Sequence, residues 1–284
     1  MEIDHKSIGQ VLAPSLFTLG NMACGFYALL ASHRGEFTAA ATAIILGGVF
    51  DGLDGRVARL VHGESTFGVE FDSLSDFLTF GVAPAHMMYG FILKDYGPWG
   101  FPLAFLFAMC GSLRLARFNA VAHETGGSKT HFTGLPIPAG AAFLASFVML
   151  YQIVEEGKPA HTVKFLMDRV PGLYGLAPLM VVALSLLMVS TIPFTAFKSG
   201  TLWEPAVDPN GTGQKPSRLI PTSVKKLLAF CAAGLLFVTY PQTFLFLAAF
   251  LYAISGPIFW LIGRLRSLLG LEPRTPQKAP SHPS

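Results

Sequence analysis

Asp51, Asp54, Asp72 and Asp76 are the residues whose type and spacing most plainly point to chemistry, because they stand in a chain that is otherwise strongly apolar. Asp51, Asp54 and Ala58 are spaced i, i+3, i+7, and Gly68, Asp72 and Asp76 are spaced i, i+4, i+8, so each set occupies one face of a helix. The connection between the two stretches is short, and the two faces can meet across it. Acids inside a membrane are costly and functional by default, and four facing one another repel strongly unless a cation lies among them. Hard carboxylate oxygens without a cysteine or a histidine pair favour Mg²⁺ or Mn²⁺, and four aspartates can hold two such ions while leaving positions open for phosphate oxygens. The same residues could instead line an ion or proton pathway, or be neutralised by Arg56 and Arg59. Gly52, Gly55, Ala58 and Gly68 strip bulk from this region, which lets a planar or phosphate-bearing group approach the backbone; close helix packing is the other reading of that pattern.

The elements that must carry these acids follow from composition. The chain has 284 residues, 52% of them hydrophobic and only 13% charged, with a mean hydropathy of +0.52. Such a chain leaves apolar surface over when folded in water, and a bilayer is its natural solvent. Eight runs are long enough to be candidate spans: 11–32, 38–60, 66–93, 98–113, 135–154, 173–197, 226–240 and 244–261, the last two separated by Pro241. Nothing alternates at period two, so an all-α polytopic bundle is expected. The opening residues, MEIDHKSIGQ, set two acids against one lysine, which is not the basic start of a cleavable signal, so the first span should remain as a helix. With eight spans, fifteen of the twenty lysines and arginines fall on one side, which predicts a cytoplasmic face carrying both termini. The acids then lie near that face: Asp72 is roughly 9 Å along its helix from Thr66 at about 1.5 Å per residue, which is headgroup depth.

The net charge of +3 therefore reads as topology and attraction to anionic lipid, and no basic stripe interleaved with aromatics suggests nucleic-acid binding. Cys24, Cys110 and Cys231 lie inside apolar runs without metal or disulfide spacing and read as small core residues. His86 alone among the histidines falls well within a span, where a hydrogen-bonded core role is the ordinary one. The longest polar connections, about 114–134, 155–171 and 198–222, are too short for a separate soluble domain. One membrane domain over 1–268 is expected, with a core at about 11–200 and an additional helical pair at about 223–264. A disordered Pro-rich tail over 269–284 should follow.

The pattern Asp51-x-x-Asp54-Gly55-x-x-Ala58-Arg59, eight residues, then Gly68-x-x-x-Asp72-x-x-x-Asp76 resembles the signature of the CDP-alcohol phosphatidyltransferase family, with eight fixed positions over 26 residues. That resemblance implies an enzyme that transfers a phosphatidyl-type group from a CDP-linked lipid to an alcohol and releases CMP. It implies that Asp51, Asp54, Asp72 and Asp76 hold two divalent cations, Mg²⁺ or Mn²⁺, on the diphosphate, and that Asp76 doubles as the catalytic base. Gly55, Ala58, Arg59, Ser65 and Gly68 resemble the nucleotide-side and phosphate contacts, and a homodimer is implied as well. The likeness continues in SLFTLGNMACGFYALLAS of the first span, DSLSDFLTFGVAPA of the third, SLRLARFNA at 112–120, FTGLPIPAGA at 132–141 and MVSTIPFTAFK at 188–198. These resemble the serine-accepting, phosphatidylserine-forming members of the family, with CDP-diacylglycerol and L-serine as implied substrates. A carboxylate on the acceptor wants a cation, and Arg114, Arg117 and Lys198 fall at the same membrane face as the acids; ordinary membrane anchoring explains those three positions equally well. Asn119, and Asn21 on the lipid-substrate side, are polar candidates for substrate contact, although either could simply satisfy helix backbone. Inositol phosphate or glycerol 3-phosphate as acceptor, and a divalent-cation carrier, are the alternatives.

Overall fold

The computed structural model describes residues 8–60, 65–125, 133–155, 175–194, 234 and 239–268. Among them all regular structure is helical, apart from a single antiparallel bridge between Thr133 and Pro193. The first hairpin pairs α1 (Ile8–His33) with α2 (Phe37–Leu60) along their lengths. Its turn is set by Gly35, whose φ of +78° is a left-handed conformation that favours glycine. The Gly35 and Glu36 amides donate back to the carbonyls of Ser32 (3.0 Å) and Ala31 (2.9 Å), closing the end of α1. Arg34 and Glu36 pair across the turn at 3.0 Å, and this contact holds the Glu36 carboxyl below its ordinary range.

The third apolar run is one continuous path that changes pitch midway. Ser65 caps α3 (Thr66–Asp76) by accepting from the Gly68 amide at 3.1 Å; a π-helical turn then covers Phe77–Val82, and α4 (Ala83–Phe91) completes the run. A 3-10 stretch, Leu93–Trp99, leads through Gly97 and Pro98 into α5 (Gly100–Thr125). That helix continues twelve residues beyond the expected end at Leu113. The charges near 114 read as a loop in sequence, yet here they face inward, with Arg114 buried and Arg117 half-buried, while Leu113 and Phe118 face outward. Polarity is inverted relative to a helix in water, which is what a bilayer-facing surface around a polar interior requires.

α6 (Ile137–Glu155) packs against both α2 and the last helix, and α7 (Ala177–Val189) against α5. α7 stops at Val189, short of the expected boundary at 197, because the chain passes through the extended Ser190 toward Pro193, where a helix cannot be continued. The Gly134 and Leu135 amides donate to Ile192 and Leu187 at 2.9 and 3.0 Å, seating the segment before α6 against the end of α7. α8 (Pro241–Leu268) starts at its proline, a favoured first helical position. The expected span at 226–240 lies almost wholly outside the described residues, as does the tail at 269–284.

Among the described residues, four helices are long and apolar enough to cross a membrane: Ser15–His33, Phe37–Ala58, Leu93–Val121 and Pro241–Leu265. α6 and α7 are apolar but shorter. Phe80, Phe107 and Phe147 are fully buried between helices, whereas Phe26, Leu46, Phe101, Phe105, Leu186 and Phe259 point outward, as on a lipid-solvated bundle. Since lipid replaces water around such a bundle, interior packing supplies contact energy more than transfer energy. Phe147→Ala should therefore lower stability by about 2 kcal/mol, at or below the low end of the soluble-protein range, read as a fall in the thermal midpoint of the detergent-solubilised protein.

Candidate active site

The acids come together from α2 and α3. One carboxylate oxygen each from Asp51, Asp72 and Asp76 can lie within 4.8 Å of the others, a group able to hold a cation. Asp54, buried on the same face of α2, acts on both Asp51 and Asp72 electrostatically and accepts a hydrogen bond from Thr18 Oγ1 at 3.1 Å. The fit to a divalent cation can be judged from Asp72: its Oδ1 is buried and has no hydrogen-bond partner. A buried carboxylate oxygen without a partner is expensive, and with two more carboxylates beside it an oxygen-seeking cation satisfies it better than a proton donor would. The residues fit such an ion.

The first helix holds the acids by a double set of contacts. Thr18 and Asn21 are one turn apart; the Thr18 hydroxyl donates to Asp54, and Asn21 Nδ2 donates to Asp76 Oδ1 at 3.0 Å. The carbonyls of these same two residues accept in return, from Ser75 Oγ at 3.0 Å and from Thr79 Oγ1 at 2.9 Å. Asn21 is fully buried, so it meets the acid cluster directly and does not merely satisfy helix backbone. Thr18, Ser75 and Thr79 are absent from the sequence-derived set. Their signal is faint: hydroxyl residues at i, i+3 and i, i+4 spacing are also common helix-interior residues that bond their own backbone.

The glycines near the acids separate into two kinds. Gly52 and Gly55 are exposed, and a Cβ on either would meet nothing within 4 Å, so neither is a helix-packing glycine; both leave open space beside the carboxylates. Gly68 sits against the capping Ser65, which gives that pair a local structural task. Ala58 is half-buried on the acid-bearing helix, and Arg59 lies on the same helix with its side chain outside the described residues.

The basic candidates also divide. Arg114 is buried with an unpartnered Nε, and its charge interacts with Asp76, Arg117 and Tyr252. Arg117 instead spends its guanidinium on backbone, donating to the carbonyls of Val189 (3.1 Å), Thr133 (2.8 Å) and Ser190 (3.4 Å), which ties α5 to the end of α7. Asn119 Nδ2 donates to Ser73 Oγ at 3.0 Å and Glu70 Oε2 at 3.4 Å, bracing α5 against α3 beside Asp72. Lys198 lies outside the described residues. Tyr252 of α8 interacts electrostatically with Arg114, and its ring centroid lies 5.9 Å from that of Phe194.

Residues 11–195 match the family model described as CDP-alcohol phosphatidyltransferase, which covers all four acids and both bracing helices. The chain belongs to the CDP-alcohol phosphatidyltransferase family. It is 36% identical over 191 residues to a CDP-diacylglycerol–serine O-phosphatidyltransferase of Helicobacter pylori, covering 66% of this chain and 73% of that protein. It is 40% identical over 151 residues to the archaetidylserine synthase of Methanothermobacter thermautotrophicus, covering 51% and 61%. It is 44% identical over 107 residues to a CDP-diacylglycerol–serine O-phosphatidyltransferase of Methanocaldococcus jannaschii, covering 38% and 49%. A CDP-alcohol phosphatidyltransferase is a transferase of phospholipid synthesis, and the membrane-length helices and the acid cluster agree with that class. α8 lies beyond the matched residues.

If Asp72 is a ligand, Asp72→Asn should weaken Mn²⁺ binding on the order of tenfold or more, since metal affinity depends on a deprotonated oxygen donor. Titrating Mn²⁺ into the detergent-solubilised protein and following its electron paramagnetic resonance signal measures this directly.

Proposed function

We propose that this chain transfers the phosphatidyl group of CDP-diacylglycerol to the hydroxyl of L-serine, forming phosphatidylserine and releasing CMP. The convergence of Asp51, Asp72 and Asp76 within 4.8 Å, inside a family signature, carries the reading. Serine as the acceptor is supported by the printed names of the relatives and by a buried arginine with an uncommitted nitrogen beside Asp76.

The serine oxygen attacks the lipid-linked phosphorus, the bond from that phosphorus to the bridging oxygen of CMP breaks, and CMP departs with the electron pair. Asp76 accepts the hydroxyl proton; Asn21 donates to its Oδ1 and leaves the second carboxylate oxygen to take that proton. Asp51, Asp54, Asp72 and Asp76 would hold two divalent cations, Mg²⁺ or Mn²⁺, which when bound neutralise the charge of the diphosphate and of the departing CMP. Gly52 and Gly55 leave the space in which a nucleotide diphosphate can approach α2, with Gly55, Ala58, Arg59, Ser65 and Gly68 on the nucleotide side. Arg114 pairs with the serine carboxylate, Arg117 and Asn119 hold α5 so that it does, and Lys198 is a further serine contact. The site faces the cytoplasm in a membrane domain whose two termini share that side, and the enzyme works as a homodimer.

Purified protein supplied with Mn²⁺ or Mg²⁺ and CDP-diacylglycerol should release CMP only when serine is present. Equal release with glycerol 3-phosphate would overturn the acceptor, and Mn²⁺ uptake into liposomes without CMP release would overturn the reaction itself. Asp76→Asn should lower kcat by about 10²–10⁴-fold while CDP-lipid still binds, the range a positioned general base contributes. Arg114→Gln should raise the serine KM about tenfold or more, as expected for loss of a charge-assisted contact, and change the CDP-lipid KM less.

A further inference from the structure

Directly after Asp76 the helix widens into the π turn Phe77–Val82, and this turn delivers Thr79 to the inner face of α1. Thr79 is fully buried, and its place exists because two neighbours lack side chains. A Cβ on Gly25 would fall against the Thr79 hydroxyl, and one on Gly47 would lie 2.5 Å from the Thr79 methyl. α1 and α2 are thus both hollowed at the level of one threonine. The threonine hydroxyl donates to the carbonyl of Asn21, the residue whose amide donates to Asp76. An amide side chain has a donor end and an acceptor end, and only the donor end suits a carboxylate. Asn21 keeps its donor on Asp76 although its Oδ1, near Gly47, is buried without a partner, so the orientation is held by something other than the satisfaction of its own oxygen.

We infer that Thr79 is a positioning residue for the reaction, acting through Asn21: its hydroxyl fixes the rotation of α1 so that the Asn21 amide stays aimed at Asp76. The π turn begins directly between the two contacts, Asp76 addressing the side chain of Asn21 and Thr79 its backbone. This inference rests on the proposal that Asp76 is the base, and its test separates the two.

The informative pair is Thr79→Val, which keeps the shape and removes the hydroxyl, and Thr79→Ser, which keeps the hydroxyl and removes the methyl. Both are assayed for serine-dependent CMP release alongside the unaltered full-length protein in the same detergent, with thermal midpoints measured for each. Thr79→Val should lower kcat by about tenfold or more and leave the CDP-diacylglycerol KM within about twofold, the pattern of a misplaced catalytic group and not of lost binding. Thr79→Ser should restore most of that rate. In an Asn21→Ala background, Thr79→Val should add little further loss, since two residues acting in series are not additive. A Thr79→Val rate within twofold of the unaltered protein, a Thr79→Ser rate as low as that of Thr79→Val, or full additivity with Asn21→Ala would each overturn the inference. Absence of serine-dependent CMP release from the unaltered protein would overturn the proposed function instead.

Discussion

Repulsion among carboxylates gathered in an apolar surround is the constraint to which the rest of the bundle answers. Asp51, Asp54, Asp72 and Asp76 would move apart if the helices carrying them were free to rotate. Two kinds of restraint prevent it. Thr18 and Asn21 bind the acids from α1 by side chain, and the hydroxyls of Ser75 and Thr79 donate to the α1 backbone carbonyls of those same two residues. An orphaned buried oxygen on Asp72 shows that the protein's own groups do not finish the task. A divalent cation converts the same repulsion into binding energy.

α5 and the end of α7 add further restraints around the acids. Asn119 braces α5 against α3 at Ser73, next to Asp72, and Arg117 fastens α5 to the carbonyls at Thr133, Val189 and Ser190. Gly134, with φ +83°, brings its backbone against Met188 and the Arg117 guanidinium, a conformation and a closeness that a side chain would disturb. Between these fastenings Arg114 is left with an unpartnered nitrogen, and Tyr252 approaches it from α8. Gly256 is what lets α8 come so near, since a Cβ there would collide with the Phe194 ring.

The acid faces were legible in the sequence because helical periodicity is a local property: i, i+3 and i, i+4 spacing needs no knowledge of the partner helix. All-helical architecture was legible for a similar reason, through run length and the absence of alternation. What could not be read was whatever depends on which helix lies opposite. Arg117 and Asn119 stood out as polar groups, but their partners within the protein, carbonyls and side chains up to 73 residues away in sequence, did not show. The continuation of α5 past Leu113 was hidden because charged residues signal a membrane boundary only when they face lipid, and these face inward. The π turn has no compositional mark at all, and the close fit of Thr79 against Gly25 and Gly47 depends on helices that lie apart in sequence.

Every acid, and both α1 residues that hold them, falls between residues 18 and 76. The acidic centre is therefore a property of one stretch of 59 residues. In order of synthesis its components precede Arg114 and α8, and N-terminal portions of a chain generally fold first. The order of manufacture puts the charged centre first and the groups around its rim last.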